Sequence, residues 1–184
     1  MAVLTSDVPR PEATGNTAVT LVLGGARSGK SLWAESHVLA SRLAPVYLAT
    51  AEAHDEEMRR RVALHRARRD EHWTTVEAPL DLAGALRDHA GEGRAVLVDC
   101  LTLWLSNLMA ANRDIAGECE ALCRELGEIG GHVTLVSNEV GQGIVPDNKL
   151  ARDFRDQAGF LHQQVAAAAG SVVFVTAGLA QVLK

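Results

Sequence analysis

The chain has 184 residues, a length that suits one domain with a sizeable core, and its 47% hydrophobic content excludes a disordered chain. A formal net charge of -5 and an aromatic content of only 4% argue against a nucleic-acid-binding protein, which needs a basic face with stacking aromatic rings. The three cysteines form no zinc-like pair and no even-numbered disulfide framework, so we expect the reducing cytoplasm.

The first 17 residues contain Pro9 and Pro11 but no apolar stretch like that of a signal peptide, and we expect a flexible leader over 1–17. No later segment approaches the roughly 18 consecutive apolar residues of a membrane span. Because composition does not shift after the leader, we expect residues 18–184 to form a single domain.

The apolar, β-branched run at 19–23 predicts a buried strand, and residues 30–43 have the periodicity of a helix. Between them lies the spacing of a phosphate-binding loop, formed by Gly24, Gly25, Ala26, Arg27, Ser28, Gly29, Lys30 and Ser31. Such a loop binds phosphate with its backbone N–H groups and with the positive end of the following helix. We expect Lys30 to act catalytically on the β- and γ-phosphates, and the Ser31 hydroxyl to ligate Mg²⁺. The alternative is a glycine-rich turn that matches by chance.

A second buried strand is predicted at 45–50, and its carboxyl end makes Thr50 and its neighbours candidates for a binding cleft. A strongly charged helix is predicted at 54–69. In that helix Met58, Val62 and His65 fall on one stripe, so His65 faces either packed neighbours or the cleft. Taken alone, the spacing favours packing.

Residues 73–77 predict a short strand, and Pro79 is expected to begin a helix that ends near His89. The run at 95–99 consists of four apolar residues followed by Asp99. This is the Walker B pattern, in which a buried strand delivers a carboxylate to the magnesium shell. The alternative is that Asp99 caps the next helix.

Helices are then predicted at 101–111, from Asp114 to about Gly130, and after Asn148. The last helix has an apolar stripe, which consists of Leu150, Phe154, Ala158, Leu161 and Val165. Buried strands are expected at 133–137 and, as the final strand, at 171–176. Five or more strands separated mostly by helices predict an α/β fold with a parallel sheet covered on both faces.

Several motifs together resemble one family, the bifunctional adenosylcobinamide kinase/adenosylcobinamide-phosphate guanylyltransferases of cobalamin biosynthesis. They are the phosphate loop at 24–31, Ala-Thr at 49–50, the run from Asp55 to Trp73, Thr-Val-Glu at 75–77, Val-Asp-Cys-Leu-Thr at 98–102, residues 137–146, residues 152–156 and residues 177–184. The resemblance covers residues 18–184 and implies a P-loop NTPase of RecA-like fold.

The resemblance also implies two reactions at one nucleotide site. ATP or GTP phosphorylates the aminopropanol hydroxyl of adenosylcobinamide, and GMP from GTP then passes through a guanylyl-histidine to adenosylcobinamide phosphate. The family's nucleophilic histidine corresponds to His65, which reverses the preference for packing. Nucleotide contacts are implied for Ala49, Thr50, Ala51, Arg66, Ala67, Arg68, Arg69, Glu77 and Asp99, with Mg²⁺ held by Ser31 and Asp99.

The resemblance further implies a homo-oligomer, in particular a trimer, with no nucleic-acid partner. The sequence departs from the family pattern at Asp70, at His162, where asparagine is common, and at residues 180–181. Two alternative functions remain: a single-function small-molecule kinase in which His65 only packs, and a RecA-like ATPase that acts on a macromolecule.

Overall fold

The computed structural model describes residues 15–52, residue 56 and residues 71–184. Seven strands lie in these ranges: β1 (Asn16–Gly24), β2 (Ala44–Ala49), β3 (Thr74–Glu77), β4 (Arg94–Asp99), β5 (His132–Asn138), β6 (Ala169–Thr176) and β7 (Leu179–Val182). The helices are α1 (Lys30–Ala40), α2 (Leu82–His89), α3 (Leu101–Ala110), α4 (Ile115–Glu128) and α5 (Lys149–Ala168). The helix expected at 54–69 lies outside the described residues.

The seven strands form one sheet in the order β3-β2-β4-β5-β1-β6-β7. All neighbouring pairs are parallel except β6 and β7, which confirms the expected mostly parallel α/β architecture. The carboxyl ends of β1, β4 and β5 therefore meet at one edge of the sheet, where open sheets of this kind bind ligands. None of the described helices is long and apolar enough to cross a membrane.

Each face of the sheet carries its own hydrophobic core. Successive side chains of a strand point to opposite faces, so Val96 and Val98 of β4 pack with α2 to α5, while Ala95 and Leu97 pack with α1. The core on the α2 to α5 side includes Trp104, of which 1% is exposed. Burial on both faces explains why the strands appear in the sequence as continuous apolar runs.

Two helix boundaries differ from the sequence-based prediction. Helix α1 ends at Ala40 rather than near Leu43, because Arg42 adopts a left-handed conformation with φ of 59°. Helix α2 begins at Leu82 rather than at Pro79, with the Asp81 side chain accepting a hydrogen bond from the Gly84 N–H.

The residues before α2 are held in a non-helical segment by α3. The Pro79 carbonyl accepts a hydrogen bond of 3.0 Å from Asn107 Nδ2, and the Leu80 carbonyl accepts one of 2.7 Å from Trp104 Nε1. These two carbonyl groups therefore bond to side chains of α3, whereas a longer α2 would have used them for its own backbone hydrogen bonds.

The apolar stripe of α5 is correct for Ala158, Leu161 and Val165, which are buried, but wrong for Leu150, of which 65% is exposed. A helix of 20 residues is about 30 Å long, whereas a strand of seven residues spans about 23 Å. The buried residues of α5 begin at Ala158, so the core does not cover the first turn, where Leu150 lies. Asn148 caps this helix as expected, accepting from the Ala151 N–H.

The sequence predicted β6 as the last strand of the sheet. The structure has one more strand, because a two-residue turn leads from β6 into the antiparallel strand β7. Ala177 and Gly178 both have positive φ, 52° and 78°, which is the geometry of a type I′ hairpin turn. After β7, Lys184 donates from Nζ to the carbonyls of Ala166 at 3.0 Å and Ala169 at 2.6 Å, at the end of α5. Near the start of the chain, β1 begins at Asn16, so residues 16 and 17 of the expected leader lie in a strand.

Candidate functional site

The glycine motif forms a compact loop between β1 and α1, as its spacing predicts. Gly29 adopts φ of 95°, which only glycine accommodates without strain, and it is the N-cap of α1. The Ser28 N–H donates to the Gly25 carbonyl at 3.2 Å, and the Trp33 N–H donates to the Gly29 carbonyl at 3.0 Å. The loop therefore leads directly into the N-terminal end of a helix, where anions bind.

Lys30 begins α1 and only 8% of it is exposed, although it carries a charge. Its Nζ donates a hydrogen bond of 3.1 Å to the Gly25 carbonyl, so the ammonium group is folded over the loop. Ser31, the next residue, is partly buried in the first turn of the helix. The chain thus places a cation and a hydroxyl beside the loop that the sequence identified.

Two other parts of the chain support the phosphate loop. The Glu139 N–H, just after β5, donates to the Gly24 carbonyl at 3.1 Å, and the Gly178 N–H of the hairpin turn donates to the Ser28 carbonyl at 2.8 Å. A Cβ at position 24 would lie 2.5 Å from Ser28 Oγ and 2.5 Å from the Val175 carbonyl oxygen, so glycine is required there. Sequence reasoning missed the hairpin support, although glycine at 178 was a signal for a tight turn.

Asp99 is the last residue of β4 and is partly buried at the carboxyl edge of the sheet. Its Oδ2 accepts a hydrogen bond of 3.1 Å from the Tyr47 hydroxyl. The N-cap residue of α3 is Cys100, without a side-chain cap bond, so capping by Asp99 does not explain this carboxylate. No local sequence pattern predicts this contribution of Tyr47, because only the pairing of β2 with β4 brings the two residues within hydrogen-bond distance.

Cys100 follows Asp99 in the chain, and its side chain is buried. Burial and the Asp99 carboxylate raise the pKa of the Cys100 thiol to about 11, while a hydrogen bond to Thr102 and the Lys30 cation oppose this rise. Cys100 itself stays a neutral thiol near pH 7.

Thr50 follows β2 and is completely buried. Its Oγ1 donates to the Cys100 carbonyl and accepts from the Cys100 N–H, both at 2.8 Å. Its own carbonyl accepts from Asn107 Nδ2 at 2.8 Å, and its N–H donates to the Asp99 carbonyl at 3.3 Å. Every polar group of Thr50 thus already has a hydrogen-bond partner within the protein.

The other candidates on β2 and β3 lie at the same sheet edge. Ala49 pairs with Glu77 in the register of β2 and β3, and both residues end their strands. Ala49 and Ala51 are partly buried, and Glu77 is exposed. The candidates His65, Arg66, Ala67, Arg68 and Arg69 lie outside the described residues, as does Asp70. Among residues 15–52, 56 and 71–184, no group of three or more His, Cys, Asp or Glu side chains could hold a metal ion.

Comparisons with known proteins identify the family of this chain. The CobU family model, described as cobinamide kinase / cobinamide phosphate guanyltransferase, matches residues 20–183. The chain belongs to this family. It is 54% identical over 166 residues to the bifunctional adenosylcobalamin biosynthesis protein CobP of Pseudomonas aeruginosa, covering 89% of this chain and 96% of that protein. It is 38% identical over 179 residues to the CobU protein of the same description from Escherichia coli, covering 89% of this chain and 98% of that protein.

In this CobU-family chain, a buried polar network continues from Asp99 along the sheet edge. Asn138, at the end of β5, donates from Nδ2 to Thr102 Oγ1 at 2.8 Å, and Thr102 Oγ1 is 3.2 Å from Cys100 Sγ. Asn138 pairs with Gly24 in the register of β1 and β5. The network therefore links the carboxylate strand to the strand that leads into the phosphate loop.

His162 of α5 is also buried near this edge. Its Nε2 is 2.7 Å from the Oγ of Ser137, the residue before Asn138. Burial lowers the pKa of the His162 imidazole below its ordinary value, and the charge of Glu139 opposes this shift. His162 thus packs α5 against the end of β5.

Proposed function

We propose that this chain carries out both reactions of its family, phosphorylating adenosylcobinamide and then converting the product to adenosylcobinamide-GDP. The observation that carries the proposal is the family match over residues 20–183, together with 54% identity to a bifunctional relative. The phosphate loop, with Lys30 beside it, supplies a site for the nucleotide that both reactions need.

In the first reaction, the aminopropanol hydroxyl of adenosylcobinamide attacks the γ-phosphorus of ATP or GTP. The bond between the γ-phosphorus and the bridging oxygen breaks, the nucleoside diphosphate leaves, and the hydroxyl proton is released. Lys30 and the loop N–H groups stabilise the negative charge that develops on the transferred phosphoryl group.

In the second reaction, an imidazole nitrogen of His65 attacks the α-phosphorus of GTP and pyrophosphate leaves. A phosphate oxygen of adenosylcobinamide phosphate then attacks the same phosphorus, the P–N bond breaks, and His65 is regenerated. A neutral imidazole is nucleophilic near neutral pH, so one difficult displacement becomes two easier ones. Arg66, Arg68 and Arg69 lie close to His65 in sequence and can neutralise phosphate charge, while Ala49, Ala51, Ala67 and Glu77 remain candidate nucleotide contacts.

Ser31 and Asp99 would hold Mg²⁺ in this site. Their hydroxyl and carboxylate oxygens are ligands of the kind that Mg²⁺ prefers, and the Tyr47 hydroxyl fixes one oxygen of Asp99. When bound, Mg²⁺ neutralises the charge of the nucleotide phosphates.

We also infer a homo-oligomer, a trimer by family resemblance, in the cytoplasm. An exposed edge strand supports association, because Leu179, Val182 and Leu183 on or beside β7 are 76%, 70% and 56% exposed. The cysteines Cys100, Cys119 and Cys123 are free thiols, which fits a reducing compartment. Light scattering of the purified chain measures the subunit number directly.

The proposed reactions are tested by intact-protein mass spectrometry after incubation with GTP. We expect one added GMP on the wild type and none on His65→Ala, with kinase activity towards cobinamide retained in the variant. Lys30→Ala should lose both activities, because one loop serves both. Kinase activity without any GMP adduct would contradict the second reaction and favour the single-function kinase. Hydrolysis that responds to single-stranded DNA but not to cobinamide would favour the ATPase alternative.

A further inference from the structure

Four exposed aliphatic residues, Val140, Ile144, Val145 and Leu150, lie in the segment after β5 and in the first turn of α5, and we call them the apolar ridge. These side chains are 38%, 97%, 60% and 65% exposed. Single exposed aliphatic residues are ordinary, but four within eleven positions of one segment are a concentration that points to a binding surface.

The ridge is anchored at both ends. Glu139 donates its N–H to the Gly24 carbonyl, and its Oε1 accepts from the Gly141 N–H. At the other end Arg152 donates from Nη1 to the carbonyls of Pro146 at 2.8 Å and Asp147 at 2.7 Å. The exposed aliphatic groups are therefore held outward by a defined backbone.

The ridge also adjoins the phosphate loop. It begins two residues after Asn138, which pairs with the last residue of β1, and the hydrogen bond from Glu139 joins it to Gly24. An acceptor whose hydroxyl reaches a nucleotide in that loop must place its remaining bulk on the same edge of the sheet.

We propose that the apolar ridge binds the macrocycle of the corrinoid substrate, with the aminopropanol arm directed towards the phosphate loop. This inference rests on the proposed function. The ring faces of a corrin are apolar between its polar amide arms, and burying aliphatic side chains against them stabilises the complex. A second copy of this chain is the competing occupant. The exposed apolar residues Leu179, Val182 and Leu183 on and beside β7 offer that copy a separate surface.

The test uses the full chain with Ile144→Ser and Val145→Ser combined, and Phe160→Ser as the matched control. Phe160 is an apolar residue of α5 that is 58% exposed and lies outside the ridge. Cobinamide binding is measured by equilibrium dialysis with the corrin absorbance, and KM for cobinamide is measured at saturating ATP. Circular dichroism and light scattering check folding and subunit number.

We expect the double variant to bind cobinamide at least about tenfold more weakly, a loss of about 1.4 kcal/mol. Nucleotide affinity, kcat at saturating cobinamide and subunit number should match the control. Unchanged cobinamide affinity overturns the inference, and a smaller assembly with unchanged affinity assigns the ridge to a subunit interface instead. If the wild type neither binds nor phosphorylates cobinamide, the proposed function falls as well; if it does both and the variant equals it, only the ridge assignment falls.

Discussion

The Tyr47 hydroxyl donates a hydrogen bond of 3.1 Å to Oδ2 of Asp99, joining the middle of β2 to the end of β4. The Tyr47 ring is itself packed edge to face against Trp73, with ring centroids 6.3 Å apart. The orientation of the Asp99 carboxylate is therefore set by a neighbouring strand and by the residue that precedes β3.

We expect Tyr47→Phe to weaken the metal dependence of nucleotide binding without unfolding the protein. Loss of a hydrogen bond that orients a ligating carboxylate typically lowers metal affinity by about tenfold or more. The measurement is binding of a fluorescent GTP analogue, titrated with Mg²⁺. Binding in EDTA serves as the internal control and should be equal in the two proteins. Identical Mg²⁺ titrations would mean that Tyr47 does not position a metal ligand.

Thr50→Val should destabilise the fold by about 2 kcal/mol, because it leaves the buried N–H and carbonyl of Cys100 without their shared partner. Thr50→Ser keeps the hydroxyl and should cost less than about 1 kcal/mol for the lost methyl group. Urea unfolding of the two variants provides the comparison. Equal stability with weaker nucleotide binding in both would instead assign Thr50 a direct contact with the ligand.

His162 should make the protein less stable in mild acid. Burial holds the pKa of the folded-state imidazole below the ordinary 6.5, so the unfolded chain takes up a proton more readily. Stability is therefore complete above pH 6.5 and declines as the pH falls below it towards the folded-state pKa.

This decline cannot exceed about 1.4 kcal/mol per pH unit for one proton. His162→Asn should reduce the slope of unfolding free energy against pH between 7.5 and 5, because it removes this imidazole. Parallel curves for wild type and His162→Asn would show that another group controls the acid response.

Lys184→Met should lower the unfolding free energy by about 1 to 2 kcal/mol, because a charged donor is removed from the carbonyls at the end of α5. Lys149→Met is the matched control. Its ion pair with Asp153 is exposed, the Lys149 side chain by 80%, and such pairs contribute less than about 1 kcal/mol. Guanidinium unfolding with an unchanged m value measures both. An equal effect of the two substitutions would rule out a special role for Lys184.

Local patterns predicted much of this structure. Apolar runs in the sequence predicted β1, β2, β4 and β5, because strands that are buried on both faces are apolar at nearly every position. Features that depend on distant pairing escaped prediction: β7 carries four exposed residues, and the bond between Tyr47 and Asp99 joins positions 52 residues apart. Leu150 was misplaced because periodicity reports a helix face but not where the core beneath it ends.

The nucleotide site is complete only after the hairpin turn at Ala177 and Gly178 has been synthesised, because this turn supports the phosphate loop. A growing chain contains the motif at 24–31 long before it contains the Gly178 N–H that supports the Ser28 carbonyl. Contacts of such long sequence separation form late, since the intervening chain must first be ordered. Nucleotide binding should therefore report completion of the whole sheet, and ligands added during translation should find few competent sites until β6 and β7 have joined it.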